Sequence, residues 1–232
     1  MWIVSDMDTK MAIKSGFLTY LEKVTLLGGG ELAPGTVSEL LTIAPNLVCC
    51  DGAAGRALAM GHVPDAVVGD LDSIDAETRA RLDPATVHFS GDQDTTDFDK
   101  ALLAIDAPLV LGAGFMGRRL DHELACYNAL VRWDRRCILV GDHDICFHAP
   151  ASVRLDLPKG TRVSVFPLAE RVVNLRGLVW SHEGITLSPL GRVGTSNAAD
   201  GVVEIESSGP GLLVILPVGH LNAAIEAVLA MP

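Results

Sequence analysis

Short apolar runs alternate with helix-like segments through the first 140 residues of the sequence. We predict strands at residues 24–27, 47–50, 66–68, 87–89, 109–111 and 137–140. Helices are predicted at residues 37–43, 53–60, 76–82 and 123–133, and a further helix, capped by Thr95 or Thr96, is predicted to run to Ile105. Strands that alternate with helices indicate a parallel sheet with helices on both faces.

The pattern changes after about residue 149. Short apolar segments at residues 153–157, 162–166, 172–175, 202–205 and 212–216 are separated by turns rich in Pro, Gly and Ser, and an amphipathic helix is predicted at residues 221–229. Such spacing is typical of an antiparallel sandwich or barrel. We therefore predict an α/β N-terminal domain followed by an all-β sandwich C-terminal domain. The predicted boundaries are an extension of unknown role at residues 1–22, an α/β domain at 23–145 and a β-sandwich at 146–232.

Composition narrows the class of protein. Of the 232 residues, 49% are hydrophobic and 20% are charged, which is typical of a compact globular protein. The net charge of −11 argues against nucleic acid or an anionic membrane as a partner, because both require a basic face. The five Cys residues lack CxxC spacing, and residues 1–14 lack the apolar core of a secretory signal. We expect a cytoplasmic protein with reduced thiols.

Aspartates are concentrated in one part of the sequence. Between Asp51 and Asp99 there are ten Asp residues and only three Arg residues. Two carboxylates about 4 Å apart repel each other by roughly 4 kcal/mol at an effective dielectric constant near 20. A cluster of this kind therefore requires separation, shared protons or a bound cation. Oxygen ligands of this type suit Mg²⁺, which commonly binds one or two carboxylates together with phosphate oxygens.

The positions of these acids favour a bound ligand. Asp51, Asp70 and Gly112 each follow a predicted strand directly. In open parallel sheets, ligands bind beyond the carboxyl ends of the strands. Asp70 and Asp72 would point the same way if the strand geometry continued, and Ser73 would then cap the next helix. A single Asp-rich turn would be ordinary, but three at successive strand ends indicate a metal–phosphate site.

Other nucleotide-binding motifs are weak or absent. Gly28-Gly29-Gly30 fits a loose dinucleotide fingerprint after a strand, but Pro34-Gly35 interrupts the helix that this motif requires. A tight turn is therefore the better interpretation. The sequence contains no P-loop and no nucleophile elbow.

Six motifs in order resemble the thiamine pyrophosphokinase (thiamine diphosphokinase) family. They are Asp51-Gly52-Ala53-Ala54; Gly69-Asp70-Leu71-Asp72-Ser73-Ile74; the segment from Asp92 to Leu102; Gly117-Arg118-Arg119-Leu120-Asp121-His122; Gly177-Leu178-Val179-Trp180; and Gly194-Thr195-Ser196-Asn197. The family usually has Asp-Gly-Gly-Ala at the first motif and one Arg fewer at the fourth. We match Arg119 to the family arginine because it precedes Leu120-Asp121, with Arg118 as the alternative.

The resemblance implies transfer of the pyrophosphoryl group of ATP to thiamine, with Mg²⁺ as cofactor, in a homodimer whose active sites lie between subunits. By analogy, the metal ligands are Asp70, Asp72 and Asp97, and the catalytic residues are Asp70, Asp97 and Arg119. The residues expected to bind ATP are Asp51, Gly52, Asp72, Asp94 and Arg119, and those expected to bind thiamine are Asp121, Trp180, Ser196 and Asn197.

Several alternatives remain open at the level of sequence. A core position in the sandwich is the competing interpretation of Trp180, since Trp is highly buried on average. A non-catalytic nucleotide- or metal-binding module and a Mg²⁺-dependent phosphohydrolase are the competing functions. The number of metal ions, the general base and the nucleotide preference are not fixed by the sequence.

Overall fold

A parallel sheet forms the first part of the chain. The computed structural model describes residues 16–92, 94–133 and 135–231. The strands up to residue 140 are β1 (Leu18–Thr19), β2 (Val24–Leu27), β3 (Asn46–Cys50), β4 (Ala66–Gly69), β5 (Val87–Phe89), β6 (Ile105–Asp106), β7 (Val110–Ala113) and β8 (Cys137–Val140). Across the sheet the order is β5-β4-β3-β2-β7-β8, and each neighbouring pair is parallel. The short apolar runs therefore correctly predict the six strands of this sheet, whereas β1 and β6 were not predicted.

Helices cover both faces of this sheet. They are α1 (Thr36–Ile43), α2 (Ala53–Ala59), α3 (Ala76–Arg81), α4 (Asp97–Ala104) and α5 (Leu120–Arg132). Residues of β3 alternate between two buried clusters, because successive side chains of a strand point to opposite faces. Val48 and Cys50 pack with α4 and α5, whereas Leu47 and Cys49 pack with α1 and α2.

The remaining strands are antiparallel and continue the same hydrogen-bonded path. They are β9 (Asp144–Ala149), β10 (Ser152–Leu155), β11 (Arg162–Pro167), β12 (Arg171–Leu178), β13 (His182–Leu187), β14 (Gly194–Ser207) and β15 (Leu212–Pro217), followed by α6 (Leu221–Ala230). Strand β9 pairs with both β8 and β15 and so joins the two parts of the chain. The sequence pattern did not predict β13, and it recovered only residues 202–205 of the longer strand β14.

One apolar cluster holds the antiparallel strands together. It combines residues of β11 and β15, such as Val163 and Val214, with residues of β12 and β14, such as Val173 and Ile205. Strand β14 pairs with β11 through Asn197 and Ala198 and with β10 and β12 through its later residues, so it crosses between the two groups of strands. The structure is mostly β-sheet with helices, which is compatible with the predicted fold class.

The predicted N-terminal extension is described only from residue 16 onward. Strand β1 pairs with β6 in parallel, and Leu18 and Tyr20 pack against the cluster beside α4 and α5. The predicted lack of a secretory signal concerns residues outside the described part of the chain. None of the described helices is long and apolar enough to cross a membrane.

Two glycines bring the loops after β2 and β7 into contact. Gly28 N donates to Ala113 O at 2.8 Å, and Gly30 N donates to Gly114 O at 2.8 Å. A Cβ on Gly28 would lie 2.7 Å from Gly114 O and 2.6 Å from the Phe115 ring. The loops can approach this closely only because these side chains are absent.

Replacing Gly28 should therefore destabilise the fold, whereas replacing its neighbour should not. We expect Gly28→Ala to lower the free energy of unfolding by about 1–3 kcal/mol through overpacking. Gly29→Ala is the matched control, because a Cβ at Gly29 meets nothing within 4 Å. Urea unfolding followed by circular dichroism measures both variants. Equal stability of the two variants would contradict the close approach of the loops.

Candidate active site

A pocket of about 520 Å³ opens at the carboxyl ends of the parallel strands. The loops after β2, β3, β4 and β7 and the first turns of α4 and α5 form its wall. Its lining residues are Gly28, Gly29, Gly30, Cys50, Asp51, Gly52, Ala53, Asp70, Ser73, Thr95, Thr96, Asp97, Phe98, Lys100, Gly114, Phe115, Gly117, Arg118, Arg119, His122 and Cys126. The pocket lies where the strand order predicts a ligand site.

Asp51, Asp70 and Asp72 form a carboxylate cluster. Each offers an oxygen, and these oxygens lie within 4.8 Å of one another. The backbone does not continue as a strand between Asp70 and Asp72, because Leu71 has a φ of 64°. The expected strand geometry is therefore wrong at this point. A left-handed turn, which is uncommon for leucine, places the two acids beside Asp51 instead.

Asp51 is the buried member of the cluster, with 3% of the residue exposed. Its Oδ2 accepts a hydrogen bond from Ser73 N at 3.1 Å, while its Oδ1 is buried and has no hydrogen-bond partner among the described residues. Burial raises the pKa of Asp51 above its ordinary value, and the nearby Asp97 and Asp70 raise it further, although the hydrogen bonds from Ser73 oppose them. A buried oxygen without a partner, beside two further carboxylates, fits a hard cation such as Mg²⁺.

Lys100 is a pocket residue that was not singled out from the sequence. Its Nζ lies 3.5 Å from Asp70 Oδ2 and 3.3 Å from Asp97 Oδ1, and 4% of its side chain is exposed. Burial alone would lower the pKa of Lys100, but Asp97 and Asp70 outweigh this effect and raise it. Its spacing of three residues from Asp97 on a predicted helix could have indicated the pair.

Asp70 and Asp97 thus both contact the buried ammonium group of Lys100. Burial tends to raise the pKa of Asp70, but the backbone N–H of Asp72 and the charge of Lys100 outweigh it and lower the pKa. Of the predicted metal ligands, Asp70 and Asp72 lie in the cluster with Asp51, and Asp97 lies on the other side of Lys100.

Local hydrogen bonds fix the turns that carry these acids. Thr96 caps α4 and forms a reciprocal capping box with Asp99, as the sequence predicts for one of the two threonines. The predicted cap of α3 by Ser73 is wrong, because Asp75 takes that position and accepts a hydrogen bond from Thr78 N at 2.7 Å. Ser73 instead donates through Oγ to Asp72 Oδ1 at 2.9 Å.

Asp94 is not among the residues that line the pocket, although the adjacent Thr95 is. Asp94 N donates to Asp92 Oδ1 at 2.9 Å, and Thr95 Oγ1 donates to Asp92 Oδ2 at 2.7 Å. Asp92, which carried no predicted role, therefore orders the turn that leads into α4. Gly52, a predicted ATP contact, lies in the pocket at the start of α2.

Both candidate arginines line the pocket. Arg119 Nη2 lies 2.6 Å from Asp121 Oδ2, and both side chains are exposed. Hydrogen bonding between them raises the pKa of Arg119 and lowers that of Asp121. Arg118 has a φ of 65° and precedes the helix that Arg119 caps. Position in the pocket does not distinguish the two arginines as phosphate contacts.

Trp180, Ser196 and Asn197 come together away from this pocket. Asn197 Oδ1 accepts from Trp180 N at 3.1 Å, and Asn197 Nδ2 donates to Trp180 O at 2.8 Å. Ser196 N donates to Ser164 Oγ at 3.0 Å. Trp180 is 60% exposed, so it is not a core residue of this chain. Trp180 and Ser196 are exposed and form a second surface within the described part of the chain, whereas Asn197 is buried and hydrogen-bonds to the backbone of Trp180.

Comparisons with known proteins identify relatives of this chain. Residues 37–140 match the family model described as "Thiamin pyrophosphokinase, catalytic domain". Thiamine pyrophosphokinase 1 of Oryza sativa subsp. japonica is 29% identical over 190 residues, which cover 66% of this chain and 71% of that protein. Thiamine pyrophosphokinase 1 of Arabidopsis thaliana is 27% identical over 185 residues, covering 65% and 69%.

Solved structures support the fold. Thiamin pyrophosphokinase from Candida albicans superposes with a TM-score of 0.72 at 17% identity, covering 88% of this chain and 93% of that one. Thiamine pyrophosphokinase from Bacillus subtilis gives a TM-score of 0.69 at 20% identity, covering 84% and 98%. At these identities the likeness concerns the fold alone.

The burial of Asp51 predicts a stability effect with a definite sign. Because its folded pKa lies above the unfolded value, folding takes up a proton between the two values, and stability falls as pH rises through that window. Without divalent ions, Asp51→Asn should therefore raise the free energy of unfolding at pH 7. This gain should disappear below about pH 3.8, where the unfolded carboxyl is itself protonated.

Denaturant unfolding at a series of pH values measures this effect. Asp75→Asn is the matched control, because a hydrogen bond from Thr78 lowers the pKa of Asp75 and its charge favours folding at pH 7. Asp75→Asn should show no gain. A loss of stability in Asp51→Asn at pH 7 would contradict the account of an unpartnered charge at Asp51.

Proposed function

Because this chain belongs to the thiamine pyrophosphokinase family, we propose that its aspartate-lined pocket performs that family's reaction. The enzyme transfers the pyrophosphoryl group of ATP to the hydroxyl of thiamine and produces thiamine diphosphate and AMP. The comparisons confirm the predicted family and enzyme class. The carrying observation is the cluster of Asp51, Asp70 and Asp72 around an unpartnered buried oxygen at the carboxyl ends of the strands.

We propose that Asp51, Asp70 and Asp72 hold Mg²⁺. All three offer carboxylate oxygens, the ligands that this ion prefers. When bound, the ion supplies positive charge to the phosphate oxygens of ATP. Asp97, the third ligand expected from the resemblance, is not part of this cluster. It contacts Lys100, and Lys100 in turn contacts Asp70 of the cluster.

The chain supplies further charges for the phosphates of ATP. We assign Gly52 and Asp94 to ATP binding on the resemblance, and Arg119, with Arg118 as alternative, to the phosphate charge in the transition state. Lys100 adds a buried ammonium to the same pocket. Pyrophosphoryl transfer depends mainly on positioning and electrostatic stabilisation, so a pocket of fixed charges suits it.

The proposed reaction is an in-line displacement at the β-phosphorus of ATP. The thiamine oxygen forms the new bond to this atom, and the bond to the oxygen shared with the α-phosphorus breaks and releases AMP. The hydroxyl proton passes to a carboxylate, for which Asp70 and Asp97 are the candidates. Lys100 favours the ionised form of Asp70, and the lowered pKa also makes this carboxylate a weaker base.

We propose that thiamine binds against Trp180, with Ser196, Asn197 and Asp121 nearby. A cationic thiazolium ring stacks favourably on Trp. Because the group formed by Trp180, Ser196 and Asn197 does not line the pocket of its own chain, we propose a homodimer in which this surface faces the pocket of a second copy. The predicted α/β part would then hold the nucleotide, and the predicted β-sandwich would hold thiamine. Location in the cytoplasm also remains a prediction.

The reaction products test this function. With ATP, Mg²⁺ and thiamine, the protein should form AMP and thiamine diphosphate in equal amounts, as measured by chromatography. Asp72→Asn should lower kcat by about 100-fold or more through loss of a metal ligand while leaving the melting temperature unchanged or raised. Asp75→Asn should remain active.

Other outcomes would identify the competing functions. Formation of ADP alone would contradict the proposed transfer. Phosphate release that does not depend on thiamine would indicate a phosphohydrolase, and ATP binding without turnover would indicate a non-catalytic module.

Mixing two impaired variants tests the shared site. In Asp70→Asn the pocket is damaged, and in Trp180→Ala the thiamine surface is damaged. If each site combines both surfaces across a dimer, a dimer with one chain of each variant has one site with two intact surfaces and one site with two damaged surfaces. Random mixing produces half of the dimers in this form, so a quarter of all sites are intact. About a quarter of wild-type activity should therefore return at low thiamine concentration. The control mixes Asp70→Asn with Asp72→Asn, which damage the same surface. No recovery in the first mixture would place both surfaces of a site on one chain.

A further inference from the structure

Asp99 is a buried carboxylate on the helix that carries Asp97 and Lys100. It is 3% exposed, and no Lys, Arg or His of the described chain forms an ion pair with it. A buried carboxylate is tolerated only when hydrogen bonds satisfy its oxygens. The polar contacts of Asp99 therefore show what holds this charge inside the protein.

The two carboxylate oxygens of Asp99 accept hydrogen bonds from different residues. Asp99 Oδ2 accepts from Thr96 N at 3.1 Å and from Thr96 Oγ1 at 2.6 Å, which closes the capping box at the start of α4. Asp99 Oδ1 accepts from Trp133 Nε1 at 2.6 Å, a contact between residues 34 apart in sequence. The first contact is local to the helix. The second ties the first turn of α4 to the residue that ends α5.

The two helices joined in this way both contribute residues to the lining of the pocket. Thr96, Asp97 and Lys100 line it from α4, and His122 and Cys126 line it from α5. The Trp133 ring is itself held in place, because the guanidinium of Arg132 lies 4.7 Å from its centroid. A movement of the first turn of α4 would carry Asp97 and Lys100 together and would change the distance from Lys100 to Asp70.

We propose that Trp133 is a positioning residue that acts through Asp99 on the metal and phosphate end of the pocket. Its indole N–H fixes Asp99, Asp99 fixes Thr96 and the first helical turn, and this turn sets the positions of Asp97 and Lys100. The proposal deepens the proposed function and rests on it for the identity of the ligands, a divalent cation and ATP. Trp133 itself does not line the pocket.

Trp133→Phe tests the proposal because it keeps an aromatic ring for Arg132 and removes the N–H donor together with part of the indole ring. We expect about a fivefold loss of affinity for Mn²⁺, measured by calorimetry as a stand-in for Mg²⁺, because the first turn of α4 would no longer hold Asp97 and Lys100 in fixed positions beside the carboxylates. The KM for ATP should rise by a similar factor, while the KM for thiamine should stay within about twofold of wild type.

Two controls separate positioning from general stability. Ile225→Val lies in α6, away from the pocket, and should lower stability through a lost methylene without changing Mn²⁺ affinity. In an Asp99→Ala background, Trp133→Phe should change Mn²⁺ affinity by less than about twofold, because the acceptor of the indole N–H is already absent.

The outcomes distinguish the two proposals. Unchanged Mn²⁺ and ATP affinity in Trp133→Phe, or an equal loss in Ile225→Val, would overturn the positioning role. Additive losses in the double variant would also overturn it, since the two residues would then act separately. If wild-type protein forms no AMP, the proposed function fails, and the Mn²⁺ measurements still decide whether Trp133 positions the cation site.

Discussion

Mutual repulsion of carboxylates is the constraint on which the rest of this structure depends. The oxygens of Asp51, Asp70 and Asp72 lie within 4.8 Å of one another, so these carboxylates repel each other when they are ionised. The surrounding fold must hold the acids in place against this force. A bound cation turns the same arrangement from unfavourable to favourable.

Backbone geometry and close packing supply that restraint. Asp51 and Leu71 adopt positive φ values, and a Cβ on Gly69 would lie 2.8 Å from Asp51 Cβ. Ser73 donates to Asp51 through its backbone N–H and to Asp72 through its hydroxyl. Lys100 offsets part of the negative charge from the α4 side, where Asp99 and Trp133 anchor the helix. Strain of this kind is commonly found at functional sites.

Many features of the fold and of the carboxylate site can be predicted from the sequence because they depend on residues close together in the chain. Apolar runs of three or four residues identify the parallel strands, and the strand ends identify the rim that carries Asp51 and Asp70. The threonine cap before Asp97 also depends on neighbouring residues alone. The family resemblance adds the reaction, which no property of the composition reveals.

The features that the sequence did not predict depend on contacts distant in the chain or on unusual backbone angles. Leucine rarely adopts the left-handed backbone conformation that Leu71 has in this turn, so a sequence pattern favours strand geometry for Asp70 and Asp72 instead. The pairing of Lys100 with Asp70 joins β4 to α4, and that of Asp99 with Trp133 joins α4 to α5. Strand β14 was underestimated because its first residues, including Ser196 and Asn197, are polar.

The central claim is that a divalent cation binds among these carboxylates and bridges them to ATP. Its most direct test is anomalous X-ray scattering from crystals grown with Mn²⁺ and an ATP analogue whose α,β-bridging oxygen is replaced by methylene. The account predicts a manganese peak bounded by oxygens of Asp51, Asp70 and Asp72 and by the phosphates of the analogue. A well-ordered analogue with manganese elsewhere, or with no manganese beside these three residues, would contradict it.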